Sequence, residues 1–163
     1  MIHDRAKFCA LLSNFISREA ANAVAASFRA ESPWEPTQNQ LQRGRALLLK
    51  EFRKPHNLTV VQFATLAGKS RQQIYKDISS RRLLAISVGA RGQRIPDWQL
   101  EEIKQRLTQG LLEAAQGVDE WTLYHALIEP NRDFAGKPPI ETVTSGNLKR
   151  TLGTILNQLG FHD

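Results

Sequence analysis

Apolar positions recur at three- and four-residue intervals over most of this chain, and the breaks in that rhythm divide it into elements. From Asp4 to about Ala30, Phe8, Leu11, Leu12, Phe15, Ile16, Ala20, Val24 and Phe28 fall on one face of a long amphipathic helix. Pro33 and Pro36 end it, since proline lacks an N–H and clashes with the preceding turn. Thr37 is the N-cap of a second helix with Leu41, Leu48 and Phe52 along one side, and Lys54 to Asn57 reads as a loop. Thr59 to Ala67 is a short helix that buries Val60, Phe63, Ala64 and Ala67 and stops at Gly68, whose missing Cβ suits a tight turn. Ser70 caps the next helix. Ile74 and Ile78 point inward there, leaving Arg71, Gln72, Gln73, Tyr75 and Lys76 outside.

After Arg81 and Arg82 the pattern changes to alternation. Leu84, Ile86 and Val88 share one face, Gly89-Ala90-Arg91-Gly92 makes a turn, and Gln93-Arg94-Ile95 returns as the second strand of a short β-hairpin. Helical spacing resumes at Pro96-Asp97 with a stripe of Leu100, Ile103, Leu107 and Leu111, ending at Gly117. Asp119 opens a helix bearing Trp121, Tyr124, Leu127 and Ile128 that runs into Pro130-Asn131, and a loop containing Gly136, Pro138 and Pro139 follows. A last helix carries Leu148, Leu152, Ile155, Leu156 and Leu159 to a stop at Gly160. The expected fold class is mainly α. A helical N-terminal region spans 1–57, a helix-turn-helix with a short β-hairpin wing spans 58–98, and a small helical C-terminal domain spans 99–163.

Charge adds a polarity to this layout. Residues 1–57 carry nine basic and five acidic groups (+4), 58–98 carry seven and two (+5), and 99–163 carry six and nine (−3), giving the net charge of +6. A basic middle segment suits phosphate, and an acidic C-terminal module suits a second protein. Two short helices joined through a glycine, the second exposing Arg71, Gln72, Gln73, Tyr75 and Lys76, are what major-groove readout requires. Arginine and glutamine make bidentate hydrogen bonds to guanine and adenine edges, and Ser70 marks a helix N-terminus suited to phosphate. Arg81 and Arg82 sit where phosphates pass, while Arg91 and Arg94 of the hairpin lie along the backbone or in the minor groove. The bland alternative is a helical corner with solvated cations; the adjoining hairpin and the local rise in basic charge weigh against it.

No stretch approaches the roughly 18 apolar residues of a membrane span, and charges stand where a signal peptide needs its apolar core, so a cytoplasmic protein without a membrane partner is expected. The single cysteine, Cys9, excludes an intramolecular disulfide framework, and no CxxC pair is present to hold zinc; no metal and no cofactor are expected. Nor is an enzyme. His3, His56, His125 and His162 are scattered, read as surface residues, and no HExxH, GxSxG or P-loop signature accompanies them. Asp119 and Glu120 read as a helix cap rather than an acid/base pair.

The stretch SRQQIYKDISSRRLLAISVGARGQRIPDWQL, from Ser70 to Leu100, resembles the winged helix-turn-helix of excisionase and MerR-like proteins. It departs from them at Arg81, where such proteins usually carry a glycine that ends the recognition helix. Trp121, LIEPN at 127–131, FAGKPPIE at 134–141 and the closing helix are similar to the toxin-binding segment of Xre/MbcA/ParS-type antitoxins. Ala135-Gly136 replaces the glycine pair usual in that family, and Lys137-Pro138-Pro139 replaces its Arg-Thr-Pro. The resemblance implies a homodimer that represses its own operon by binding double-stranded DNA and neutralises a RES-domain, NAD-consuming toxin. It further implies toxin contacts at Trp121, Tyr124, Leu127, Pro130, Asn131, Phe134, Gly136, Pro139 and Ile140, whose plain alternative is a small core. For the N-terminal helix, Phe8, Leu12, Phe15, Ile16, Val24 and Phe28 form either a dimerisation face or a stripe packed on the chain's own core. A stand-alone excisionase- or MerR-like regulator without a toxin is the alternative to the antitoxin reading.

Overall fold

A computed structural model describes residues 36–162. The expected N-terminal helix, with Cys9 and its dimerisation face of Phe8, Leu12, Phe15, Ile16, Val24 and Phe28, lies outside the described residues. Among the described residues the fold is mainly α, with seven helices and a small three-stranded sheet. Among the described residues the chain divides into two compact units, one of residues 36–54 and 87–92, the other of 55–86 and 93–162.

In the first unit, α1 (Gln38–Phe52) starts where Thr37 predicts it. The Thr37 hydroxyl accepts the Gln40 N–H at 3.3 Å, and the Gln40 side chain accepts the Thr37 N–H at 2.9 Å. This reciprocal box satisfies two donors that a helix start otherwise leaves open. Gly44, Leu48 and Phe52 are its buried positions. Residues 88–91 form the hairpin turn, closed by the Arg91 N–H to the Val88 carbonyl at 3.3 Å.

The second unit begins with β1 (Asn57–Thr59), a strand in a segment expected to be part loop and part helix start. Three residues are too few to display alternation, which is why the pattern hid it. β1 pairs antiparallel with β3 (Gln93–Pro96) in the register Asn57↔Pro96, Leu58↔Ile95, Thr59↔Arg94. The sheet order β1-β3-β2, with β2 at Ile86–Ser87, puts β3 in the centre. α2 (Val60–Ala67) starts on a second capping box, Thr59 with Gln62, and ends at Gly68 in the left-handed region at φ 66°. α3 (Arg71–Ser79) is capped by Ser70, whose hydroxyl accepts the Gln73 N–H at 3.1 Å.

One apolar cluster holds this helix pair to the sheet: Val60, Phe63, Ala64, Ile74, Leu83, Ala85 and Ile95, with Leu58, Ala67 and Ile78 around it. Leu83 and Ala85 occupy places that strict alternation assigns to solvent. Leu84 and Ile86 are buried too, so 83–86 is covered on both faces. Gln99, itself buried, makes this possible: its amide accepts the Leu84 N–H and donates to the Leu84 carbonyl, both at 2.8 Å, as a neighbouring strand would.

The helix expected from Pro96 onward is two elements. A 3-10 turn, Asp97–Leu100, buries Trp98 and Gln99 and leaves Leu100 exposed; Glu101 is extended, and α4 (Glu102–Ala114) follows. The break lets Gln99 face Leu84, and Leu107, Thr108, Leu111 and Leu112 become the buried stripe of α4. α5 (Glu120–Ile128) is capped by Asp119, which accepts both the backbone N–H and the hydroxyl of Thr122. A 3-10 turn at Arg132–Phe134, the single turn α6 (Pro139–Thr142) and α7 (Leu148–Gln158) complete the unit. α7 approaches α4 at Gly110, where a Cβ would stand 2.9 Å from a Leu152 methyl. No helix among the described residues is long and apolar enough to cross a membrane.

Candidate nucleic-acid interface

α2, the Gly68 turn and α3 form the helix-turn-helix that the sequence implied, and the core cluster decides which side of α3 is outward. Ile74 is fully buried and Ile78 packs beside it, so Arg71, Gln72, Tyr75, Lys76 and Ser79 are left exposed. These positions are spaced i, i+1, i+4, i+5 and i+8, one continuous face of a helix. That face presents a guanidinium, an amide, a phenol, an ammonium and a hydroxyl on a backbone fixed at its N-terminus by Ser70. Such a surface offers hydrogen-bond donors and acceptors already fixed in place, the kind of groups that base-edge readout uses.

Gln73 leaves this set. Its amide donates to Asp77 Oδ1 at 2.8 Å, while Lys69 reaches Asp77 Oδ2 at 3.2 Å from the loop before α3. Asp77 is buried, so two polar partners on its carboxylate are what make its position tolerable. Its carbonyl also accepts the backbone N–H groups of Arg82 and Leu83, at 2.8 and 3.2 Å. Asp77 therefore ties the start of α3 to the chain leaving it and sets the angle of the exposed face. The sequence signal for it was an acid that stands alone among the cations of 69–94.

Arg81 also leaves. It stands at φ 59°, the left-handed conformation that glycine adopts most readily. Its guanidinium turns back to the C-terminus of α4, donating to the Leu112 carbonyl through Nε and Nη2, both at 3.3 Å, and to the Ala115 carbonyl at 3.5 Å. A cation on the last carbonyls of a helix satisfies acceptors that have no partner within it. Arg81 is thus a cap, not a phosphate contact. Arg82 is exposed as expected, whereas Arg94 is half-buried on β3 opposite Thr59. Arg91 is exposed on the hairpin turn, in the other compact unit.

The residues expected to contact a partner protein divide by burial. Trp121, Tyr124, Leu127, Pro139 and Ile140 are core side chains, so a direct contact through them is corrected. Pro130 and Gly136 are exposed, and Asn131 and Phe134 half-buried. Ala135 and Gly136 both adopt left-handed backbone, φ 55° and 75°. The turn they make is closed by an isolated bridge between Asn131 and Lys137.

Tyr124 also organises a ring cluster that the sequence kept apart. Trp98 stacks on it at 5.5 Å between centroids, and Trp121 meets it edge-on at the same distance. His56 Nε2 lies 2.8 Å from the Tyr124 oxygen, and Asn57 Nδ2 donates to that oxygen at 3.0 Å. His125 packs against both Trp121 and Tyr124. His56 and His125, read as surface residues, are half-buried members of this cluster, brought together across 69 residues by the pairing of β1 with β3 and the return of α5. Among the described residues no group of three His, Cys, Asp or Glu side chains is placed to hold a metal ion.

One groove of about 670 Å³ lies in the second unit, along α7 and opposite the 132–135 turn and α6. Asp133, Phe134, Thr142, Asn147, Arg150, Thr151, Asn157 and Gln158 are among its walls. Sequence reasoning missed Arg150, because an arginine in the first turn of a helix carries no pattern of its own. No protein-family model, curated protein or solved structure matches the chain.

Proposed function

We propose that this protein binds double-stranded DNA by inserting α3 into the major groove, with Arg71, Gln72, Tyr75 and Lys76 reading base edges and Arg82 meeting phosphate. The observation that carries this reading is the single exposed polar face of α3, held by the Ser70 cap and the Asp77 clamp. Ser70, exposed at the start of α3, keeps its proposed place beside the phosphates.

We further propose that the DNA-binding protein is a cytoplasmic, non-enzymatic antitoxin that represses its own operon and neutralises a RES-type toxin. Support comes from the resemblance of residues 121–160 to the Xre/MbcA/ParS toxin-binding segment. Ala135 and Gly136, at the place of that family's glycine pair, both take a left-handed backbone conformation that glycine adopts without strain. The contact surface is then Pro130, Asn131, Phe134 and Gly136, with Trp121, Tyr124, Leu127, Pro139 and Ile140 supporting it from beneath. A homodimer is the form in which such a reader engages a two-fold operator.

Selection of bound sites from random duplexes tests the DNA claim: an enriched motif supports it, and uniform recovery refutes it. Co-expression with an adjacent RES-domain gene tests the antitoxin claim. Rescue of growth with a co-purifying complex supports it; DNA binding without rescue leaves the stand-alone regulator.

A further inference from the structure

The groove along α7 has the properties of a binding site for a small phosphorylated molecule. α7 starts without a side-chain cap, and its first turn carries no acid. The Asn147 side chain is committed elsewhere, accepting the Thr144 N–H at 2.6 Å and donating to the Thr142 carbonyl at 3.0 Å. The first N–H groups of α7 therefore point out unsatisfied, with the positive end of the helix dipole behind them. Lys149 and Arg150 are both exposed in that first turn, and Arg150 lines the groove.

Thr151 supplies a second, independent sign. It is only 2% exposed and lines the same groove, yet its hydroxyl makes no hydrogen bond among the described residues. Threonine hydroxyls elsewhere in these helices bond back to the preceding turn, as Thr154 does to the Arg150 carbonyl at 2.9 Å. A hydroxyl with no partner in the protein is free to donate to, or accept from, whatever occupies the groove.

The far end of the groove is different in kind. Asp133 stands there with Oδ2 accepting from Gln158 at 2.7 Å, beside the half-buried ring of Phe134 and the exposed amide of Asn157. From Asn147 to Gln158 the helix spans about 16 Å. A volume near 670 Å³ falls within the roughly 300–1,000 Å³ usual for small-molecule sites.

We infer that this groove binds a nucleoside phosphate. The phosphate sits on the N-terminus of α7 against Arg150 and Thr151, the ribose hydroxyls donate to Asp133, and the base packs on Phe134. Helix N-termini with a nearby guanidinium are favourable for phosphate, and a carboxylate at the sugar end suits hydroxyl donors. The inference rests on none of the DNA or toxin readings.

Two-dimensional amide NMR of the full chain, titrated with inorganic phosphate and separately with AMP, tests it. Phosphate is expected to move the Leu148, Lys149 and Arg150 amide signals, and AMP to move them at about tenfold lower concentration. Arg150→Ala, at an exposed site that leaves folding intact, is expected to weaken both by about tenfold or more. Thr151→Val is expected to weaken both without unfolding the chain. Phe134→Leu is expected to weaken AMP alone. Silence of those amides at millimolar phosphate and AMP overturns the proposal, as does binding that Arg150→Ala leaves unchanged. Shifts produced by an aspartate-rich peptide but not by AMP overturn it in favour of a protein ligand.

Discussion

Replacing Arg81 separates two opposing terms at one position. The side chain donates to two carbonyls at the end of α4 at 3.3–3.5 Å. The backbone at φ 59° costs an L-residue about 1–2 kcal/mol. Hydrogen bonds from a charged donor contribute about 1.5–3 kcal/mol at good geometry. At these longer distances, and with the side chain half exposed, about 1–1.5 kcal/mol is the reasonable share. Arg81→Ala removes the bonds and keeps the strained backbone, so a loss of about 1–1.5 kcal/mol is expected. Arg81→Gly removes the same bonds but relieves the strain, less about 0.5–1 kcal/mol for the extra freedom of an unfolded glycine, and should fall within about 1 kcal/mol of wild type. Urea denaturation reads both midpoints, and a melting difference of about 2–4 °C between the variants is the thermal counterpart for a chain of this size. A glycine variant less stable than the alanine variant refutes the assignment of strain. An alanine variant as stable as wild type refutes the cap.

Other positions follow from the same geometry. Gln99→Leu leaves the buried Leu84 N–H and carbonyl without partners and should cost about 2–6 kcal/mol by urea denaturation, since each orphaned group costs about 1–3 kcal/mol. Tyr124→Phe keeps the ring stack but removes the oxygen shared by His56 and Asn57; a loss of about 1–3 kcal/mol with unchanged near-ultraviolet dichroism of the tryptophans is expected. Ala135→Gly relaxes a left-handed residue at φ 55° and should raise stability by about 0.5 kcal/mol, read as a higher melting temperature.

Local signals carried far in the sequence. Thr37, Ser70 and Asp119 each cap the helix they precede, and Gly68 takes the left-handed turn, because caps and turns depend on residues within four positions of one another. The exposed face of α3 was legible for the same reason: Ile74 and Ile78 fix it by spacing alone. What stayed hidden was what distant residues decide. Gln99 acts as a strand to Leu84, so 83–86 is buried on both faces, and no period in the sequence encodes a side chain standing in for a backbone. Arg81, Gln73 and Arg94 looked like three more cations and amides for DNA. Their partners, Leu112 and Asp77 for the first two and the pairing of β3 with β1 for the third, appear only once the chain is folded. Trp121 and Tyr124 were expected to contact a partner, yet their place is the core, where a large ring contributes through burial.

Dimethyl sulfate footprinting on a duplex selected by the wild-type protein tests the central claim most directly, because the reagent methylates guanine N7 in the major groove and adenine N3 in the minor. Insertion of α3 requires protection of guanine N7 within the selected motif. Arg71→Ala should lose that protection at one base pair, at a cost of about 1–3 kcal/mol in discrimination. Protection confined to adenine N3, or a guanine N7 pattern that Arg71→Ala leaves unchanged, contradicts the account.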